Sequence, residues 1–241
     1  MNEIHFDIEC WQALSPGLVS LDEWNAWVTN EKKWPDTLAP VPVTDIPPML
    51  RRRMSSLSKL AIQTAISLAK HNEIDFIIFS SRHGELHRTA KLLSEILQGE
   101  DASPIAFSQS VHNTAAGLFT IAVKKEIPVT SLAAGEHSLH SALIEASAYL
   151  AENPQHRILV VDFDEPLPQP YEAFDVKAHH GFALGMVVTS GRQYQLCWQA
   201  ERGTEDVSSK LPQTLDVIAN LVRGHHSWTI AGQRTHWHWK C

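Results

Sequence analysis

Only three of the 241 residues are cysteine, Cys10, Cys197 and Cys241, and they are scattered with no C-x-x-C pair. That excludes a disulfide framework and leaves three reduced thiols. No stretch approaches the roughly 18 apolar residues of a membrane span. The first twenty residues, MNEIHFDIECWQALSPGLVS, lack the basic and then apolar segments of a secretory signal, so a cytoplasmic protein is expected. Positive charge is in deficit, with 20 Lys and Arg against 27 Asp and Glu, a net charge of -7 and a pI near 6.0. The resulting field repels phosphate backbones and anionic membranes, which argues against nucleic acid as a partner. There is no G-x-S-x-G elbow of a serine hydrolase. No repeat, low-complexity tract or linker divides the chain, so a single domain over 1–241 is expected. A hydrophobic content of 44% suffices for a substantial core.

Histidine, by contrast, is abundant, with fourteen residues. The best cluster for a metal is the tail THWHWKC, where His236 and His238 share one face of a strand near Cys241. The simpler account turns Trp237 and Trp239 inward and the histidines to water, and no metal or other cofactor is expected. The adjacent pairs His179-His180 and His225-His226 diverge along the chain and suit solvated or locally hydrogen-bonded positions.

Alternation of apolar residues in EIHFDIECW predicts a first strand, followed by a loop rich in Trp and Pro from Ser15 to about Pro48. A helix capped by Ser55 or Ser56 is predicted to Lys70, then a buried strand IDFIIFSS and an amphipathic helix from Leu86 to Leu97. SVHNTAAGLFTIAVKKE predicts a helix with small residues in its middle, ending on Lys124 and Lys125. Strand IPVTSLA, helix HSLHSALIEASAYLAEN, strand RILVVDF, the loop EPLPQP and strand GFALGMVVTS follow. After Gly191 come a possible strand YQLCWQAE, a helix from Leu211 to Leu221, and strands SWTIAGQ and THWHWKC. Strand and helix alternate through the first 190 residues, which implies an α/β fold with a mainly parallel sheet and helices on both faces.

Four strings in this order, RRRMSSLSKLAIQTA, SPIAFSQSVHNTAAGLFTIA, SLAAGEHSLHSALIEA and FDVKAHHGFALGMVVTS, resemble the amino-terminal half of a β-ketoacyl synthase, a thiolase-like fold. The resemblance covers about residues 1–200. It is nearest to the short chain-length-factor-like subunits of bacterial aryl polyene and related type II polyketide or fatty-acid-like pathways. It implies an amino-terminal thiolase-like half over 1–190 and, over 191–241, a remnant of a truncated second half.

The departures from the enzyme pattern bear on function. Such a synthase places its nucleophilic cysteine four residues before the leucine of the elbow helix. Counting back from Leu139 lands on Gly135, with Ala134 and Glu136 on either side. Its two carboxyl-terminal histidine contexts, His-Gly-Thr-Gly and Gly-rich Asn-Phe-Gly, do not occur. A helix mouth lowers a thiol's pKa and offers backbone donors to an oxyanion, but here it has no sulfur to act on. Glu136 there suits helix capping, since the dipole stabilises its charge by ~0.3–1 kcal/mol. The resemblance then implies a non-catalytic subunit that pairs with an active ketosynthase and shapes its acyl pocket. Candidates for that surface are Phe107, Val111, Thr114, Ala115, Gly117, Leu118 and Phe119, with Ala116 among the small residues. An acyl carrier protein would dock mainly on the partner, and Arg51, Arg52 and Arg53 fit a solvated face. The alternative is a stand-alone acyltransferase or malonyl decarboxylase using Glu136, His137 and Ser138. Against it, neighbouring helix positions point about 100° apart, which keeps His137 from Ser138. Asp162 and Asp164, at a strand end, fit turn-forming or capping roles.

Overall fold

The computed structural model describes residues 2–174, 179–200 and 211–241. The end of YQLCWQAE at Glu201 and residues 175–178 of FDVKAHHGFALGMVVTS lie outside the described residues. Among the described residues seven strands form one sheet: β1 (Asn2–Leu14), β2 (Phe76–Ser80), β3 (Val129–Leu132), β4 (Ile158–Asp164), β5 (Phe182–Ala200), β6 (Ser227–Ala231) and β7 (Thr235–Lys240). Their order is β3-β2-β4-β5-β7-β6, with β1 also paired to β5.

Two-residue alternation sorts side chains between two cores, one on each face. From β4, Ile158 and Val160 enter one core while Leu159, Val161 and Phe163 enter the other. Helices α1 (Leu21–Thr29), α7 (Ser138–Glu152) and α8 (Gln213–Arg223) supply the first core. Helices α3 (Ser56–Ala69) and α6 (Thr114–Val123) supply the second. The short helices α2 (Pro48–Arg51) and α5 (Pro104–Ser108) and the amphipathic α4 (Leu86–Leu97) complete the set. The α/β class with helices on both faces follows the sequence.

The expected mainly parallel sheet requires correction. Among the described residues β2–β3 and β2–β4 are parallel, whereas β4–β5, β1–β5, β5–β7 and β6–β7 are antiparallel. A parallel return needs a crossover, which α4 to α6 and α7 provide. Between β4 and β5 the described residues of the Pro-rich segment hold a 3-10 turn, Tyr171–Phe174, and the chain comes back antiparallel.

Two further differences have local causes. The strands predicted on either side of Gly191 are one strand, β5, which runs through the 190/191 division expected from the sequence. At Gly191 a Cβ would lie 1.9 Å from the Asp7 side chain, so a residue without one lets β1 and β5 stay paired, and Gln193 N donates to Asp7 Oδ1 at 2.7 Å. The Trp- and Pro-rich loop contains α1. Ser20 and Glu23 form a capping box there, and Trp24, Trp27 and Val28 are buried on one face. The helix predicted from Ser110 starts at Thr114, and Lys124 ends it in the left-handed region at φ 53°.

Candidate functional site

Parallel β3, β2 and β4 end together, with Ser80 of β2 opposite Leu132 on one side and Asp162 on the other. In α/β sheets that edge is where ligands sit, outside the carboxyl ends of the strands. Here the chain leaves β3 and turns at Gly135, whose φ of 59° favours glycine even though nothing lies within 4 Å of where a Cβ would stand. A 3-10 turn, Gly135–His137, leads into α7. The cavity at this elbow is only about 30 Å³ and is lined by Arg82, Gly135, Glu136, Asp162, Asp164 and Gln213 among others.

Each side chain proposed at the elbow is already engaged. Ser138 Oγ donates to Gly135 O at 2.8 Å and accepts from Ala134 N at 3.1 Å, which tightens the turn. Gln233 N donates to Glu136 Oε1 at 2.7 Å, so this carboxylate reaches the β6–β7 hairpin, a contact the capping expectation did not contain. Trp237 Nε1 donates to His137 Nδ1 at 3.0 Å, with Gln213 Nε2 at 3.3 Å from the same atom. Fully buried His140 accepts from Trp239 Nε1 at 3.2 Å and stacks on Trp237 with ring centroids 4.4 Å apart. The inward Trp237 and Trp239 of the tail thus end on the elbow histidines. No signal local to either segment joins them, because about 100 residues separate the partners.

Beside the elbow, Asp162 is 4% exposed and accepts from Ser80 Oγ and Thr214 Oγ1, both at 2.6 Å. This corrects the turn-forming role expected of it: it is a buried tie between β2, β4 and α8. Burial pushes its carboxyl up to about 6, against the pull of the two hydroxyl donors. Asp164 is raised well above the carboxylate range by burial first and by Asp162 second, with Arg82 opposing. Burial, and then His137, holds His140 down to about 3.

The interface and pocket candidates divide between two sides. Phe119 (0% exposed), Ala115, Ala116 and Thr114 face this chain's own interior, Phe119 against Phe79 at 5.7 Å between centroids. Phe107 and Val111 are exposed at 62% and 40%, Gly117 is exposed, and Leu118 is half-buried. Leu93, Ile96 and Leu97 of α4 and Ile105 of α5 are further exposed apolar residues that the sequence reading did not single out. Arg51 is turned back onto Ile46 O and Thr44 O, while Arg52 and Arg53 are exposed. His236 and His238 lie on the face of β7 opposite the tryptophans, with Cys241 Sγ near His225 O. Among the described residues no group of three or more His, Cys, Asp or Glu could hold a metal ion, and no helix is long and apolar enough to cross a membrane.

The family model described as Beta-ketoacyl synthase, N-terminal domain matches residues 24–240. No curated protein matches the chain. Among solved structures, one chain of a ketosynthase (ApeO) in complex with its chain length factor (ApeC) from Xenorhabdus doucetiae is 32% identical, with a TM-score of 0.89 over 99% of this chain and 100% of that one. The ishigamide ketosynthase/chain length factor is 16% identical, with a TM-score of 0.62 over 83% of this chain and 68% of that one. A type II PKS acyl-carrier protein in complex with its ketosynthase, AntDE:AntF, is 10% identical, with a TM-score of 0.67 over 99% of both chains. The last two likenesses concern the fold, which is thiolase-like α/β with a mixed sheet.

Proposed function

Because the chain belongs to the β-ketoacyl synthase N-terminal-domain family and its elbow is filled by its own side chains, we propose that it is a non-catalytic, chain-length-factor-like subunit. It pairs in the cytoplasm with an active β-ketoacyl synthase of an aryl polyene, polyketide or fatty-acid-like pathway and shapes that partner's acyl pocket. The observation that carries this is the elbow, where the resemblance sets Gly135 at the nucleophile position: its cavity is about 30 Å³ and both nearby histidines are held by tryptophan. Cys10 and Cys197 lie in β1 and β5, and Cys241 follows β7. The 32% identity to a chain of a ketosynthase–chain length factor complex supports the same role. On this proposal residues 1–241 are one ketosynthase-like domain in which 191–241 stand for a truncated second half. An acyl carrier protein docks mainly on the partner. The contacting surface is Phe107, Val111, Gly117 and Leu118, while Thr114, Ala115 and Phe119 support it from inside. A stand-alone acyltransferase or decarboxylase using Glu136, His137 and Ser138 gains no support, since the Ser138 hydroxyl is spent within its own turn.

Co-expression with a complete ketosynthase tests the proposal. The two chains should purify together, and substitutions at Val111 or Leu118 should change product length while assembly persists. Incubated alone with acyl thioesters, the chain should carry no covalent acyl group by intact mass. An adduct on the isolated chain, or a stable monomer that neither captures a ketosynthase nor alters its product, would overturn the reading.

A further inference from the structure

The indole N–H of tryptophan can only donate, so each histidine nitrogen that meets one must present a lone pair. Trp237 Nε1 therefore assigns His137 an unprotonated Nδ1, and Trp239 Nε1 assigns His140 an unprotonated Nε2. A neutral imidazole then carries its proton on the other nitrogen: Nε2 in His137, 3.5 Å from Glu136 Oε1, and Nδ1 in the fully buried His140. Gln213 Nε2 lies 3.3 Å from His137 Nδ1, so two donors from different elements, β7 and α8, converge on one lone pair. Gln233 N, in the turn between β6 and β7, adds its bond to Glu136. Gly232 is buried against this cluster, and a Cβ there would lie 2.5 Å from His137 and 2.9 Å from Glu136 Oε1.

We propose that the β6–β7 hairpin is a proton-sensitive latch over the elbow, closed while His137 and His140 are neutral and loosened when His137 takes a proton at Nδ1. Protonation turns the shared acceptor into a third donor facing the two already there, so the indole and the amide lose their partner together. His137 is the trigger because its side chain is 23% exposed, whereas His140 is fully buried. The groups facing the latch are Glu136 on the turn itself, His140 on α7, Gln213 on α8 and, across the elbow cavity, Arg82, Asp162, Asp164 and His179. Glu136 Oε1 lies 3.5 Å from His137 Nε2 and also holds Gln233 N of the hairpin. The latch is independent of the subunit's role in assembly, since it rests on contacts within this chain.

Indole-labelled protein, taken as the co-purified complex or as the free chain if that proves stable, is titrated from about pH 7.5 to about pH 4.5 while hydrogen exchange is followed. At the upper end, long-range nitrogen–proton correlations should identify His137 as the Nε2–H tautomer and His140 as Nδ1–H. On acidification, the Trp237 indole and the β7 amides should lose about tenfold in protection, relative to intrinsic exchange at the same pH, before β4 and α3 lose theirs. His137→Asn, whose amide offers an acceptor near the Nδ1 position without titrating, should keep the hairpin protected and abolish the early step. Trp237→Phe should loosen β7 already at neutral pH and flatten its response. The opposite tautomers, an acid step unchanged in His137→Asn, or β7 protection lost only together with β4 would each overturn the latch.

Discussion

Asp162 and His140 are both buried, and burial moves them in opposite directions. Asp162, pushed from 3.8 up to about 6, holds a proton between those values that the unfolded chain has released. Its contribution is therefore fully present below pH 3.8 and is lost as pH rises through 6, a change of roughly 3 kcal/mol. His140, held from 6.5 down to about 3, stays neutral in the fold while the unfolded chain takes up a proton. Its contribution is present above pH 6.5 and is lost as pH falls toward 3, at a limiting slope of about 1.4 kcal/mol per pH unit. Denaturant titrations at several pH values should separate the two. Relative to the parent, His140→Gln gains stability as pH falls below 6.5, whereas Asp162→Asn gains stability as pH rises from 4 to 7. Gly135 makes a third case, because space is open around it and only its φ of 59° resists a side chain. Gly135→Ala should cost about 1 kcal/mol in the unfolding midpoint. Gly135→Cys should fold yet form no acyl-enzyme by mass spectrometry, since His137 and His140 remain committed to tryptophan.

At the scale of elements, α6 has two faces, and sequence alone could not divide them. Thr114, Ala115, Ala116 and Phe119 turn toward α3 and the sheet, while Gly117 and Ile121 turn outward. Mean hydropathy is high on both sides, so the 3.6-residue period that normally marks the buried stripe is faint. The distinction has a direct consequence for mutagenesis. Phe119→Ala empties a fully buried site and should cost about 3–5 kcal/mol in thermal or denaturant unfolding, whatever its effect on product. Phe107→Asp changes a residue that is 62% exposed. It should leave the isolated chain within about 0.5 kcal/mol of the parent while abolishing co-purification with a ketosynthase. Equal damage to stability from both substitutions would contradict this assignment of faces. Helix α1 shows the converse: Ser20 and Glu23 spell its capping box, with Trp24, Trp27 and Val28 on one stripe, but flanking proline and tryptophan suggest a loop.

For the molecule as a whole, most of the strands and helices were legible because their causes are local: caps at Ser55, the apolar run at Phe76–Ser80, the amphipathic period of α4. The elbow was legible too, as a strand, a glycine and a helix in succession. Pairing direction was not, because the proline-rich segment between β4 and β5 sets no direction by itself, and the return it permits depends on what β5 meets. β5 meets β1, β4 and β7, and so joins the amino-terminal strand, the centre and the tail in one sheet. Sequence by itself determined that this chain carries no cysteine at its elbow, keeps a thiolase-like order of elements, and ends in inward-facing tryptophans. Only the tertiary structure decided that Trp237 and Trp239 end on His137 and His140, that Asp162 ties three elements together, and that Phe119 belongs to the interior. The physical reason is the range of the forces involved: caps, periodicity and turn chemistry act within a few residues, whereas an indole donor finds its imidazole only after sheet pairing has closed a loop of about 100 residues.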